Sequence, residues 1–294
     1  MTTIAWDPTE LTDWFAAEAR PLPWRAPGVT GWGVLVSETM LQQTPVNRVA
    51  PIWQEWLERW PRPSDLAAAT QAEVLRAWGK LGYPRRALRL HQAAAVIAAD
   101  HGDVVPSDVD TLLALPGIGA YTARAVAAFA YGRRAPVVDT NVRRVVARAV
   151  HGAGDAGPPS TKRDLADVDA LLPSDDASAA RLSAALMELG QVVCTVRSPA
   201  CERCPIAADC AWQHAGRPAY TGPPKKVQKF AGTDRQVRGK LLDVLRGTEG
   251  PVPRAALDAV WQDAGQRDRC LDSLLVDGLL EQTDDGRFAL PGEH

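Results

Sequence analysis

Apolar residues recur three and four positions apart through the first two-thirds of the chain, which is the spacing of amphipathic helices. In the clearest stretch one face is formed by Val49, Trp53, Trp56 and Trp60. Helix-start signals accompany the pattern: Asp7-Pro8 precedes the first helix, and Thr70 with Glu73 forms a capping box. No convincing apolar–polar alternation precedes residue 230, so this region is predicted to be all-α.

The pattern changes towards the end of the chain. Residues 217–234 are rich in Pro, Gly and Lys and are predicted to form a linker. Beyond it, residues 235–294 predict a small α/β module. Helical patterns lie around residues 237–245, 254–261 and 266–276, and strands at 279–283 and 287–290 flank the turn Asp285-Gly286. Three helices and a hairpin resemble a winged helix, which could contact DNA or another protein.

Composition sets the frame. At 294 residues and 46% hydrophobic content, the chain can hold two or three compact units. Its 33 Lys and Arg nearly balance 35 Asp and Glu, so only local clusters could attract a polyanion. No apolar run approaches membrane length, so no membrane partner is expected. Residues 1–7 lack the basic start and apolar run of a secretory leader, so we expect a reducing compartment, the cytoplasm.

Four cysteines are clustered as Cys194-x6-Cys201-x2-Cys204-x5-Cys210. Thiolates at this density suit a tetrahedral zinc or an iron–sulfur cluster, and two disulfides are the remaining alternative. Zinc sites usually pair two close knuckles, whereas only Cys201 and Cys204 are that close here, which favours a cluster. Cys270 lies far from the others and is predicted to be an ordinary buried thiol.

Two further features carry candidate chemistry. In the segment Leu115-Pro116-Gly117-Ile118-Gly119, two glycines and the start of a following helix could bind a phosphate through backbone amides, although a plain turn between helices fits as well. Asp139 precedes another apolar-periodic helix. Its carboxylate could simply cap that helix, or it could face a developing positive charge.

In combination, the hairpin, Asp139 and the cysteine spacing resemble the helix-hairpin-helix DNA glycosylases of the endonuclease III superfamily, over about residues 8–214. The segments that resemble its adenine glycosylase branch, the MutY family, are residues 20–25, 37–44, 81–83 and 187–190. The resemblance implies a two-lobed fold. A six-helix lobe over residues 28–132 would contain the helix-hairpin-helix, and a second lobe over 1–27 and 133–216 would contain the cluster loop.

The same resemblance implies a cofactor and a partner. Cys194, Cys201, Cys204 and Cys210 would hold a 4Fe–4S cluster that acts as a scaffold, since the reaction needs no redox step. The protein would act as a monomer on double-stranded DNA that contains adenine mispairs, and would leave an abasic site.

The resemblance also assigns catalytic roles. Glu38 resembles the general acid that protonates adenine, which requires a raised pKa in an apolar pocket. Asp139 would stay ionised and face the oxocarbenium-like sugar, with Asn141 holding it and the attacking water. Bifunctional lyase members carry a Schiff-base lysine where this chain has Tyr121, so a monofunctional glycosylase is expected.

DNA contacts follow by the same likeness. Gln43 and Tyr83 match positions that wedge into the duplex where the target base is extruded. The residues that resemble the lining of the adenine pocket, or that shape the surroundings of Glu38, are Arg20, Trp24, Arg25 and Glu188. The remaining predicted contacts are Gln42, Thr44, Gly117, Gly119 and Arg197.

Two groups of arginines are predicted to form basic helical faces for phosphates, with a merely solvated face as the alternative for each. These are Arg85, Arg86 and Arg89, and Arg143, Arg144 and Arg148.

Two other functions remain open. One is a thymine or uracil mismatch glycosylase, since related mismatch enzymes also pair a tyrosine with the aspartate. The other is a non-catalytic iron–sulfur DNA-binding protein. Glu38 and Asp139 favour the adenine enzyme. The adenine branch often carries a larger C-terminal domain that inspects 8-oxoguanine, and here only the short module follows.

Overall fold

The computed structural model describes residues 6–222 and 230–293, so part of the predicted linker lies outside the described residues. The first two-thirds is helical, as predicted. The helices are α1 (Pro8–Glu18), α2 (Gly31–Leu41), α3 (Val46–Arg59), α4 (Pro63–Ala67), α5 (Gln71–Trp78), α6 (Arg85–Asp100), α7 (Val109–Ala114), α8 (Ala120–Tyr131), α9 (Thr140–Ala149), α10 (Thr161–Asp169), α11 (Asp176–Val192) and α12 (Ala211–His214).

The predicted helix starts are confirmed. The Asp7 carboxylate accepts the N–H of Thr9 at 2.8 Å at the start of α1. At α5, the Thr70 hydroxyl accepts the N–H of Glu73 while the Glu73 carboxylate accepts the N–H of Thr70, the reciprocal pair of a capping box. These side chains accept from N–H groups at the start of a helix, which have no partner within the helix. The residue pattern alone therefore located the starts of α1 and α5.

Contacts divide the chain into two units. Among the described residues, the first contains 6–35, 106–114 and 118–222. Here α1, α8 and α9 pack against α11, and α12 packs against α9. The core of this unit includes Leu11, Val142, Val145, Leu182 and Leu186, all buried. The long helix α11 (Asp176–Val192) therefore runs through the centre of the unit, and its C-terminal part contains residues 187–190 of the candidate site.

The second unit contains the described residues 36–105, 115–117 and 230–293. In it α4 and α5 pack against α6, and the C-terminal helix α13 packs against α5. The ring of Trp56 meets those of Trp60 and Trp78 edge to face, with centroids 5.0 and 5.4 Å apart. Three of the chain's tryptophans thus serve the core, as their helical spacing predicts. The predicted domain boundaries stay a prediction.

The C-terminal module has the predicted element order. Its helices are α13 (Asp234–Arg246), α14 (Arg254–Asp258) and α15 (Ala264–Val276), and strands β1 (Glu281–Gln282) and β2 (Phe288–Ala289) pair antiparallel. Val252 adds a bridge to Phe288, with backbone hydrogen bonds of 2.7 and 2.9 Å. The sequence pattern missed this third extended segment because a single bridging residue shows no alternation. Among the described residues, no helix is long and apolar enough to span a bilayer.

Candidate active site

Asp139 is fixed from three directions at the start of α9. Its Oδ1 accepts the backbone N–H groups of Asn141 and Val142 at 2.8 and 2.7 Å, and its Oδ2 accepts the side-chain amide of Asn141 at 2.6 Å. The helix cap predicted for Asp139 is therefore present. The same contacts therefore orient the carboxylate at the N-terminus of a helix.

Arg144 connects this carboxylate to the cysteine loop. Its Nη2 donates to Asn141 Oδ1 at 2.8 Å and to the carbonyl of Gly190 at 2.6 Å, while its Nε donates to the carbonyl of Cys194 at 2.7 Å. Accepting from Arg144 fixes the amide of Asn141 so that its NH₂ faces Asp139. A continuous set of hydrogen bonds thus runs from Asp139 to the first cysteine.

Each residue of segment 187–190 has a separate contact. The hydroxyl of Tyr121 lies 3.9 Å from the sulfur of Met187. Leu189 is buried in the core, and a side chain at Gly190 would collide with Asn141, whose Cβ lies 2.8 Å from an ideal Cβ there. The segment is therefore a packing surface for both Tyr121 and Asn141.

Glu188, the remaining residue of that segment, has a side chain with no exposed surface. Its carboxylate accepts hydrogen bonds from two arginines. Arg20 donates from Nε and Nη2 at 2.6 and 2.9 Å, and Arg25 donates from Nη2 at 3.0 Å. Burial works against ionisation of Glu188, but the hydrogen bonds from Arg20 and the charge of Arg25 outweigh it and hold its pKa at about 2. Glu188 therefore acts by fixing residues 20–25, which also carry the buried Trp24.

The cysteine loop follows directly. No disulfide joins Cys194, Cys201, Cys204 and Cys210, which together line one small cavity. Arg148 braces the loop, since it donates to the carbonyls of Thr195 and Val196 at 2.7 and 3.1 Å and lies 3.4 Å from the sulfur of Cys194. Four soft donors around a common space fit an iron–sulfur cluster, and a neighbouring guanidinium suits the negative charge of ligating thiolates. Arg197 lies in this loop and is exposed.

Glu38 lies on α2 and is 5% exposed. The residues before and after it on this helix, Leu35, Val36 and Met40, are completely buried. The apolar residues that the sequence predicts near Glu38 along α2 are therefore buried, as are its polar neighbours Ser37 and Thr39. The proton-donor role of Glu38 stays a prediction.

Gln43 and Tyr83, the predicted wedge residues, both have backbone angles in the left-handed region, with φ of 58° and 47°. Non-glycine residues rarely adopt this conformation because the Cβ meets the backbone. Both side chains are exposed, Tyr83 by 39%. Surrounding structure must therefore impose these conformations.

Arg86 imposes them. Its Nη1 donates to the carbonyls of Thr39, Met40 and Gln42 at 2.7 to 2.9 Å, and its Nη2 donates to Thr44 Oγ1 and the Gly82 carbonyl at 3.1 and 2.9 Å. Burial lowers the pKa of Arg86 to about 10, which leaves it protonated at neutral pH. One buried cation thus ties the turn after α2 to the turn before α6.

Thr44 completes this arrangement, because its hydroxyl also contacts the carbonyl of Leu81 at 3.1 Å. Gln42 contributes its carbonyl to Arg86. These contacts place both residues in the support of the two turns. Their predicted contacts with DNA stay predictions.

In the hairpin between α7 and α8, Gly117 has a φ of 74° and sits against the side chain of Arg89, so both its conformation and its space require glycine. Gly119 is the N-cap residue of α8, and the space beside its Cα is open. An uncapped helix start with open space beside it suits an anion, and the predicted phosphate contact there stays a prediction.

The predicted basic faces are only partly correct. Arg85 and Arg89 are exposed, but Arg86, Arg144 and Arg148 are buried and donate to backbone carbonyls. Arg143 is largely covered and pairs with Asp164 at 2.7 Å. These four arginines therefore neither contact phosphates nor form a solvated face. They donate hydrogen bonds to acceptors in other segments of the chain, and helical spacing cannot reveal those partners.

Family models match two parts of the chain. The HhH-GPD superfamily base excision DNA repair protein model matches residues 36–168, and the iron-sulfur binding domain of endonuclease III matches residues 194–210. The second match covers all four clustered cysteines. The predicted iron–sulfur cofactor is thereby confirmed.

Among curated proteins, the adenine DNA glycosylase of Mycolicibacterium smegmatis is 67% identical, over 97% of this chain and 96% of its own length. That of Mycobacterium tuberculosis is 63% identical, over 97% and 93%. These matches include the C-terminal part of the chain, because they span nearly its whole length.

Solved structures confirm the fold. A thermostable thymine-DNA glycosylase has a TM-score of 0.63 at 26% identity, covering 71% of this chain and 95% of that one. A trapped endonuclease III–DNA covalent intermediate has a TM-score of 0.59 at 22% identity, covering 71% and 94%. Identity to the adenine enzymes far exceeds that to the thymine enzyme. The chain therefore belongs to the adenine DNA glycosylase family of the HhH-GPD base excision repair superfamily.

Proposed function

We propose that this protein is a monofunctional glycosylase that removes adenine mispaired with 8-oxoguanine or guanine in duplex DNA and leaves an abasic site. We also propose that it acts as a monomer. The observation that carries the proposal is the fixed carboxylate of Asp139, held by three N–H donors, in a chain with Tyr121 at the position of the lyase lysine.

The reaction divides between two carboxyl groups. Glu38 donates a proton to a ring nitrogen of the extruded adenine, so that the electron pair of the C1′–N9 bond can leave with a neutral base. Positive charge then develops on the sugar, and the ionised Asp139 stabilises it. Water adds its oxygen to C1′ and its proton restores the acid.

Tyr121 supports base removal without strand cleavage. A phenol hydroxyl does not form the Schiff base through which a lysine amine cleaves the strand. The abasic product therefore leaves with its backbone intact. Tyr121, at the second position of α8, contributes hydrogen bonding near Met187 rather than a nucleophile.

A substrate series tests the proposal. Labelled duplexes with adenine opposite 8-oxoguanine, adenine opposite guanine, thymine opposite guanine, and a normal adenine–thymine pair are incubated with the protein and split between alkali and no alkali. Strand breaks only after alkali, and only with the first two duplexes, are expected. Breaks without alkali would contradict the monofunctional assignment, and breaks only with thymine opposite guanine would contradict the adenine assignment.

A further inference from the structure

A large cleft lies within the second unit, between the C-terminal module and the turns that carry Gln43 and Tyr83. Its volume is about 1130 Å³. One wall contains residues 42–43, Arg48, residues 79–86 and Arg89, and the other consists mainly of the module's helix α13, with Phe230 and Asp277. The module therefore shares a surface with the predicted wedge residues.

The cleft is strongly basic. Nine Lys or Arg side chains and two Asp side chains line it, in a chain whose net charge is −2. Its exposed cations come from both walls: Arg48, Lys80, Arg85, Arg89, Arg235 and Lys240. Such a concentration of positive charge in a concave surface attracts a polyanion.

Arg235 is the residue at which the two walls meet. Its Nη1 donates to the hydroxyl of Tyr83 at 2.8 Å, and its guanidinium lies 5.8 Å from the Tyr83 ring centroid and 5.1 Å from that of Phe230. Both aromatic rings are substantially exposed. An exposed cation between exposed aromatic rings is the combination with which proteins hold a nucleic acid strand.

Ion pairs hold the module in this position. Asp277 accepts Arg85 at 3.1 Å and Arg238 at 2.6 Å, so it joins the start of α6 to α13. Arg76 on α5 also pairs with Glu293 near the end of the chain. The wall formed by α13 is therefore attached to the glycosylase segments at two places.

The other faces of the module do not suit DNA. The hairpin region contains four acidic residues, Glu281, Asp284, Asp285 and Glu293, against Arg287, which pairs with Asp285 at 2.7 Å. On α15, Arg267 is largely covered and pairs with Asp258, while Asp268 and Asp272 offset its charge and that of Arg269. Phosphates would be repelled from the hairpin and gain little at α15.

We propose that the C-terminal module forms one wall of a DNA-strand cleft through helix α13, with Arg235 contacting a phosphate and positioning Tyr83. The module thus binds DNA through its first helix, and neither α15 nor the hairpin enters a groove. This rests on the proposed function only in that the ligand is the duplex DNA on which the glycosylase acts.

The test measures binding of the full-length, cluster-loaded protein to a labelled undamaged duplex at a series of salt concentrations. Each lost phosphate contact lowers the slope of log K against log salt by about 0.9, which is roughly eightfold in affinity at 0.1 M salt. Arg235→Ala is expected to show this loss, and Arg235→Lys, which keeps the charge, is expected to retain the slope. Because binding is measured and not excision, absence of the proposed activity would not affect the result.

Arg287→Ala is the matched control, an exposed arginine of the same module outside the cleft, and it is expected to bind as the unchanged protein does. Arg48→Ala combined with Arg235→Ala should lower the slope about twice as much as Arg235→Ala alone, since the two residues lie on opposite walls. An unchanged slope in Arg235→Ala, or an equal change in Arg287→Ala, would overturn the proposal.

Discussion

Arg144 donates its Nε proton to the carbonyl oxygen of Cys194 over 2.7 Å, and the same guanidinium holds the side chain of Asn141. The residue proposed to support the catalytic carboxylate and the first ligand of the cluster are therefore oriented by one side chain. Hydrogen bonds therefore connect the cluster loop to the proposed catalytic carboxylate of Asp139, although the two are far apart in sequence.

Replacing Arg144 with Ala should reduce both iron content and adenine release. The change frees Asn141 to rotate and leaves the carbonyls of Gly190 and Cys194 without their donor. Losing such outer contacts typically costs about 10- to 100-fold in metal affinity or activity. Single-turnover excision and iron per chain are the measurements. Arg203→Ala, an exposed arginine of the same loop, is the control. Normal excision in Arg144→Ala would show that Asn141 does not depend on Arg144.

Glu188→Gln should destabilise the protein at neutral pH by about 3 kcal/mol, the value that corresponds to lowering the Glu188 pKa from 4.5 to about 2 on folding. Because the folded-state pKa is the lower one, this stabilisation is present above pH 4.5 and disappears as pH falls towards 2.

Urea unfolding of both proteins at pH 7 and pH 3 checks this, and the difference between them should shrink by more than half at pH 3. Glu55→Gln, at an exposed position on α3, should show no such pH-dependent difference. A difference that stays constant with pH would mean that Glu188 stabilises the fold by packing and not by its charge.

Arg86→Ala should cost about 3–5 kcal/mol of unfolding free energy, because it removes a buried cation and leaves several buried carbonyls without a donor. Arg86→Lys should recover part of the loss, since an ammonium cannot reach all the acceptors at once. The urea midpoint is the measurement. Arg85→Ala, on the adjacent exposed position, should cost much less. Equal losses at the two positions would contradict the role of Arg86 as the tie between the turns.

Glu38→Gln should abolish adenine release while retaining affinity for the mispaired duplex, because an amide cannot donate the proton that adenine needs to leave. Single-turnover excision and binding anisotropy on the same duplex separate the two effects. Glu58→Gln, on the exposed surface of α3, serves as the control. Excision at the unchanged rate in Glu38→Gln would refute the acid role.

The sequence predicted the features that depend on neighbouring residues. Helix caps and tight turns have hydrogen-bond partners within four positions in sequence, so the local pattern identified them. Examples are the caps at Asp7, Thr70 and Asp139 and the turn Asp285-Gly286. The resemblance identified the family and its cluster, which the comparisons confirm.

What the sequence could not supply were long-range partners. Arg86, Arg144 and Arg148 resemble phosphate contacts along a helix, yet each satisfies carbonyls from segments more than forty residues away. The bridge between Val252 and Phe288 and the contact between Arg235 and Tyr83 belong to the same class.

The left-handed backbone at Gln43 has a consequence for evolution and engineering. Glycine would adopt that conformation without strain, so this chain keeps a glutamine at a cost of about 1 kcal/mol or more. Selection for stability alone would remove that side chain. Screens for higher stability should therefore recover Gln43→Gly as a favourable change. The resulting proteins should have a higher free energy of unfolding and a lower affinity for the mispaired duplex.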